Sequence, residues 1–320
     1  MPVRQRALFS FSLTPLKKHD EDIGKLLEGV IGRDRMSLAR AITMVENELG
    51  GSEEFLRRLR PGNAHVLGIT GPPGAGKSTL INAFLRHVIA MNRHAAVVAV
   101  DPTSPFTMGS LLGDRLRMSE HFNNEHVYIR SLASRGALGG LSGKIIEITD
   151  VLKASTFDYI IVETIGVGQS EVEIAGLADT TVVVLVPESG DDIQAMKSGI
   201  MEIADIFLVN KSDREGAEGF ANNIRMMVES RPKFDWQVPV IGTVATEGLG
   251  IGELFEKISL HRHSDSFSKK RVHLLAEKAY QLIRNYRMRD LKKSDIHERI
   301  EKSAKDPAFN LYSFIDSYKS

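Results

Sequence analysis

Cysteine is absent from the 320 residues, which excludes a disulfide framework, a thiolate metal site and a cysteine nucleophile. A reducing compartment fits such a chain; the bacterial cytoplasm is expected, and the mitochondrial matrix is the other candidate. Net charge is missing too. The 41 Lys plus Arg balance 41 Asp plus Glu, so charge points neither to nucleic acid nor to an anionic membrane. The expected partners are a small molecule and another protein, with no nucleic acid and no membrane. Long hydrophobic runs are lacking: TTVVVLV (180–186) and AAVVAV (95–100) fall well short of the ~18 residues of a membrane span and read as buried strands. There is no internal repeat and no low-complexity segment. Acids are lacking from residues 1–19, which hold Arg4, Arg6, Lys17 and Lys18. That resembles an organelle transit peptide only faintly, and a disordered or loosely packed tail is expected instead.

What is present divides into three parts. A single core saturates at roughly 250 to 300 residues, so one large α/β domain with additions is expected. From Asp20 to about Arg58 the pattern is helical, with Leu38, Ile42, Val45 and Leu49 at helical spacing behind Ser37 as N-cap, and GGSEE (50–54) splitting two helices. RPGNA (60–64) is a turn signal. Short β-branched runs then alternate with helix-length segments: HVLGIT (65–70), AAVVAVD (95–101), HVYIR (126–130), YIIVE (159–163), TTVVVLV (180–186), IFLVN (206–210) and VPVIG (238–242). Strands so uniformly apolar predict a doubly wound, mostly parallel sheet covered on both faces. Beyond about His261 the chain turns helical again, and Val272, Leu275, Ala279, Leu282 and Tyr286 form one stripe that needs burial. The predicted division is a helical extension over 1–60, an α/β domain over 61–260 and a helical arm over 261–320.

Within GITGPPGAGKSTL (68–80), Gly71, Gly76, Lys77 and Ser78 match the phosphate loop G-x-x-x-x-G-K-[ST] between a strand and a helix. Glycines let backbone N–H groups curl inward beside a helix N-terminus, so Gly71, Pro72, Pro73, Gly74, Ala75, Gly76 and Thr79 are expected to line phosphates. Lys77 supplies charge to the β and γ phosphates, and the Ser78 hydroxyl can ligate Mg²⁺. VNKSD (209–213) has the N-K-x-D form of a guanine loop. The Asp213 carboxylate can accept from both N1–H and the 2-amino group of guanine, which adenine lacks. Two hydrogen bonds to a charged group, at ~1.5–3 kcal/mol each, make that choice steep in a dry site. Asn210 would brace the loop and Lys211 would lie over the base. TVATEGLG (243–250) adds Val244, Ala245 and Thr246 beside it. The expected ligand is GTP or GDP.

Asp101, Asp114 and Glu163 lie at or after strand ends, where carboxylates can join Ser78 around Mg²⁺, directly or through water. DPTSPFTMGSLLGDRLRM (101–118) is a long connection of the kind that orders around a γ-phosphate, and its Arg117 can neutralise transition-state charge. In ETIGVGQSE (163–171) the glycines, Gly166 among them, permit close backbone approach to phosphate. Glutamate stands where signalling GTPases carry aspartate, and Gln169 is out of register with their water-orienting glutamine.

These segments, with YIRSLASRGALGGLS and GDDIQAMKSGIMEIADIFLVNKSD, resemble the MeaB/ArgK family, GTPases that chaperone adenosylcobalamin-dependent methylmalonyl-CoA mutase. The resemblance implies a nucleotide domain of the signal-recognition-particle and MinD (SIMIBI) class, with a C-terminal arm that forms a homodimer. It places Lys77 and Ser78 on phosphate and Mg²⁺, Asp101, Asp114 and Glu163 around the metal, and Asn210, Lys211 and Asp213 on guanine. It also makes PESGDDIQAMKSG (187–199) a third switch that relays nucleotide state to the mutase. Here Pro187-Glu188 replaces the commoner Pro-Gly, and Met108 stands where glycine is frequent.

Two other readings share the phosphate loop. A small-molecule kinase, of the arginine-transport type, needs an acceptor pocket and a base, and no motif supplies either. A metal-insertion GTPase for hydrogenase or urease needs Cys or His ligands; His261, His263 and His273 form only a loose cluster, expected to be solvated. The basic group Arg284, Arg287, Arg289, Lys292 and Lys293 is interleaved with acids and reads as a solvated helix face.

Overall fold

The computed structural model describes residues 14–60, 62–101, 118–133, 144–164, 173–189, 199–230, 235–291, 293–306 and 308–318, with the side chains of 14–21, 101, 133 and 189 outside the description. By contacts the chain forms two compact units, Met1–Val272 and His273–Ser320.

In the first unit, helix α1 (Thr14–Ile31) starts ahead of the Asp20 from which the periodicity predicts helix. Helix α2 (Arg35–Glu46) is capped by Asp34, whose carboxylate accepts from Ser37 N at 2.8 Å. The expected cap, Ser37, is therefore inside the helix. Both residue types cap well, and Asp34 takes the position because its own backbone is extended while that of Ser37 is helical. A third helix, α3 (Ser52–Arg58), follows the glycine pair. Leu38, Ile42, Val45 and Phe55 are wholly buried. Arg35 donates to the carbonyls of Phe122 and Val127, and Arg130 reaches Glu46 at 2.8 Å, fastening these helices to the sheet.

The seven strands are β1 (His65–Thr70), β2 (Ala95–Asp101), β3 (Val127–Ala133), β4 (Tyr159–Glu163), β5 (Thr180–Leu185), β6 (Ile206–Asn210) and β7 (Val240–Thr243). Every pairing is parallel, in the order β3-β2-β4-β1-β5-β6-β7. The expected "mostly parallel" sheet is thus fully parallel across its described strands. Side chains alternate between its faces. Val182 and Val184 pack with α4 (Lys77–Ala90) and helix Ile251–Arg262; Val183 and Leu185 pack with Phe220 and Ile224 of helix Ala217–Glu229. Burial on both faces is why strands β1, β4, β5 and β6 read as unbroken apolar runs. Strands β3 and β7 are the outer ones; their observed bounds lie one to three residues later than the runs HVYIR and VPVIG suggest.

A parallel sheet puts all carboxyl ends on one edge. Strand β1 lies where the winding changes direction, between β4 and β5, which is where ligands of doubly wound sheets bind. The long helix Asp265–Met288 carries the C-terminal stripe, and Leu275 and Tyr286 remain 61% and 59% exposed.

Candidate functional site

The turn after β1 holds three glycines at positive φ: Gly71 (139°), Gly74 (78°) and Gly76 (85°). A Cβ on Gly71 would stand 2.0 Å from the Val184 carbonyl oxygen, and one on Gly76 would stand 2.5 Å from Asn210 Nδ2. Only glycine fits either place. Gly76 also caps α4, with no side chain occupying the first N–H groups, so the helix end offers its backbone donors and the positive end of its dipole to an anion. Pro72 is half-buried, Pro73, Gly74 and Thr79 are exposed, and Ala75 is buried.

Lys77 is 7% exposed and donates to the carbonyls of Gly71 at 2.8 Å and Pro72 at 3.1 Å. The ammonium is thereby held over the loop. Ser78 Oγ donates to Glu163 Oε1 at 2.8 Å, with both residues buried. The pairing Ile69↔Glu163 sets this contact, because it brings the end of β4 beside the loop that leaves β1. On the other flank of β4, Ala99 pairs with Glu163, so the backbone of Asp101 lies just beyond it on the same edge. An oxygen-only donor set of hydroxyl and carboxylate at the mouth of a phosphate loop suits Mg²⁺, which takes oxygen ligands and keeps several waters.

Asn210 joins three loops. Its Nδ2 donates to the Ala75 carbonyl at 2.8 Å, and its Oδ1 accepts from Ala245 N and from the Thr243 hydroxyl, each at 3.2 Å. Lys211 takes a left-handed φ of 57° and sends its Nζ to the Gly74 carbonyl at 3.0 Å, arching its stem over the opening between the loops. Asp213 is exposed beside it. Val244 and Ala245 are buried, Thr246 is exposed, and Val244 bridges back to Leu249. The structure therefore gathers Lys77, Ser78, Glu163, Asn210, Lys211 and Ala245 along one edge. Asp114, Arg117, Gly166 and Gln169 lie outside the described residues, as do Met108 and most of the third switch segment.

Three contacts have no counterpart in the sequence reading. Thr164 Oγ1 donates to Thr70 Oγ1 at 2.8 Å, closing the buried gap between β4 and β1 behind Glu163. Thr243 supports Asn210. Glu188 pairs with Arg214, next to Asp213. The first two follow from strand register, which is visible only once strand order is known. His261 corrects an expectation: it is 1% exposed, with Nδ1 2.7 Å from Thr180 Oγ1, rather than solvated. Its ring lies on the sheet-facing side of its helix, a face that periodicity alone leaves unassigned. Among the described residues no group of three potential ligands is placed for a metal. Arg284, Arg287, Arg289 and Lys293 are exposed, as expected of a solvated face; Lys292 is outside the described residues.

A family model described as methylmalonyl-CoA mutase-associated GTPase MeaB matches residues 38–302. A Pyrococcus horikoshii protein named as a GTPase is 48% identical over 248 residues, covering 76% of this chain and 78% of its own length. The Escherichia coli protein named GTPase ArgK is 40% identical over 250 residues, covering 74% of each. A crystal structure titled as a LAO/AO transport system kinase superposes with a TM-score of 0.64 at 24% identity, over 93% of this chain and 96% of that one, a likeness of fold.

Proposed function

The chain belongs to the MeaB family of methylmalonyl-CoA mutase-associated GTPases and is a GTPase, and from that premise we propose that it chaperones an adenosylcobalamin-dependent acyl-CoA mutase, methylmalonyl-CoA mutase first among the candidates. GTP hydrolysis would gate cofactor delivery and the removal of inactive cobalamin. The supporting observation is the reach of the family match, which runs from α2 through the α/β core into the C-terminal helices. Nucleotide-domain likeness alone would end near the last strand.

In the proposed mechanism the first turn of α4 and the glycine turn hold the phosphates. Lys77 exchanges its carbonyl contacts for phosphate oxygens, a short movement from the position it occupies. Ser78 and Glu163 would hold Mg²⁺, with Asp101 and Asp114 beside them. Bound there, the metal would neutralise charge that builds between the β and γ phosphates. Water attacks the γ-phosphorus, the bond to the β–γ bridging oxygen breaks, and GDP and phosphate leave. Gly166 gives backbone room at the γ-phosphate and Arg117 adds positive charge. Asn210 keeps the phosphate and base loops in one geometry, Lys211 covers the base, Asp213 reads its N1–H and 2-amino group, and Val244, Ala245 and Thr246 line its edge. With no glutamine in register to orient water, intrinsic turnover should be slow, and a partner that orders the switch segments should raise it.

The exposed stripe containing Leu275 and Tyr286 supports a homodimer through the arm 261–320, with 1–60 and 61–260 as the helical extension and GTPase domain. Cytoplasmic residence accords with the absence of cysteine and with archaeal and bacterial relatives. The test is steady-state GTP turnover, alone and with a cobalamin-dependent acyl-CoA mutase of the same organism, with ATP as control and Lys77→Ala as blank. A severalfold rise with the mutase supports the reading. Turnover indifferent to every such mutase overturns the client and leaves the GTPase standing.

A further inference from the structure

The pairing of β1 with β4 ends at the rung Ile69↔Glu163. One residue further on, Thr70 keeps only its β5 partner, Val183, and Gly71 turns the chain out of the sheet at a φ of 139°. Glu163 therefore stands where the sheet opens around the phosphate loop. Two bonds from the next residue hold that strand end. Thr164 N donates to the Ile69 carbonyl at 3.1 Å, and the Thr164 hydroxyl donates to Thr70 Oγ1 at 2.8 Å. Thr70 is 0% and Thr164 2% exposed, so water does not compete for either hydroxyl.

The two grips come from opposite sides of the sheet. Along β1, Leu67 and Ile69 pack on the α4 face with Leu80 and Phe84, so Gly68 and Thr70 face the other way. Glu163 meets Ser78 of α4, Oε1 to Oγ at 2.8 Å, while its neighbour Thr164 is held by Thr70 from behind. Two hydroxyl oxygens come this close only because a proton lies between them. A methyl carbon facing an oxygen needs about 3.3–3.6 Å instead. Exchanging either hydroxyl for a methyl of the same shape thus moves the end of β4 by about 0.5 Å or more, and the Glu163–Ser78 contact lengthens with it. Turnover is steep in such placement, since a displacement of about 1 Å can cost roughly 100-fold.

We propose that Thr70 and Thr164 are positioning residues for GTP hydrolysis: their hydroxyl pair fixes the end of β4 and so keeps the Glu163 carboxylate against Ser78 at the phosphate loop. Both act through Glu163, and the proposal rests on the reading of Glu163 and Ser78 as the residues that hold Mg²⁺.

The experiment measures steady-state GTP turnover against Mg²⁺ concentration for the full chain and for Thr164→Val, Thr70→Val, Thr164→Ser and Glu163→Gln. Affinity for a fluorescent GDP in EDTA and the midpoint of chemical denaturation are read on each. In both valine variants kcat should fall about tenfold or more and the Mg²⁺ concentration for half-maximal turnover should rise about tenfold, while GDP affinity in EDTA stays within about threefold. Thr164→Ser loses a buried methyl but keeps the hydroxyl, so its kcat should stay within about threefold of the parent even where its midpoint falls. A merely structural pair would make kcat follow the midpoint. Parental kcat and Mg²⁺ dependence in both valine variants, with Glu163→Gln inactive, overturns the positioning role and leaves the reading of Glu163 standing. Parental Mg²⁺ dependence in Glu163→Gln overturns both. Equal loss of kcat in Thr164→Ser and Thr164→Val, or a loss of GDP affinity in EDTA as large as the loss of kcat, also overturns the proposal.

Discussion

Lys77 rests on two loop carbonyls, so its ammonium waits within the turn rather than in solvent. Replacing it with alanine removes the charge that the proposed mechanism brings to the transferring phosphoryl group, and GTP turnover should fall by roughly 100-fold or more, read as phosphate release. Gly76 tests the turn itself. At φ 85° and with Asn210 Nδ2 2.5 Å from where a Cβ would stand, Gly76→Ala should destabilise the fold by about 2–4 kcal/mol in chemical denaturation. These residues were legible in the sequence because loop, lysine and hydroxyl lie within one short stretch whose spacing follows from backbone geometry. The Ser78–Glu163 contact was legible only in part, since its partners are far apart in the chain and meet through the β1–β4 register. Thr70 and Thr164 were invisible for the same reason.

At the scale of elements, Asn210 is the joint between the ends of β6, β7 and the phosphate loop. Asn210→Ala leaves the Ala75 carbonyl and the Ala245 N–H without their buried partner, so stability should drop by about 1–3 kcal/mol and GDP should dissociate faster, as seen with a fluorescent nucleotide. The strands themselves could be read from sequence because burial on both faces makes them uniformly apolar; the outer strands β3 and β7 were placed less well, since one side of each is unpaired and the pattern weakens. Helix caps were harder. Asp34 and Ser37 are both good cap residues three apart, and only the backbone angles decide between them.

Across the whole molecule, the histidines set the acid limit. His65, His94, His121 and His261 all lie below their ordinary pKa, in each case chiefly through burial. A ring that is neutral when folded and protonated when unfolded contributes its full stability above about pH 6.5. That stability is lost as the pH falls, for His65 down to about 3. At pH 5.5 His65 alone should cost about 1 kcal/mol relative to pH 7.5. His65→Asn should flatten the decline in denaturation midpoint between those two values. The exposed stripe makes a separate prediction: the parent chain should sediment as a dimer, and Leu275→Glu with Tyr286→Glu should sediment as a monomer with unchanged basal GTP turnover.

Trp236 is the single tryptophan of the chain, and its indole sits 4.9 Å from His261. A protonated imidazole quenches indole emission by accepting an electron from the excited ring, whereas a neutral one does so poorly. The protein therefore carries its own optical reporter beside His261. Its intrinsic fluorescence should dim as acid reaches His261, before the spectrum shifts to that of a solvated indole, so the proton's arrival and the loss of structure can be timed apart without a label.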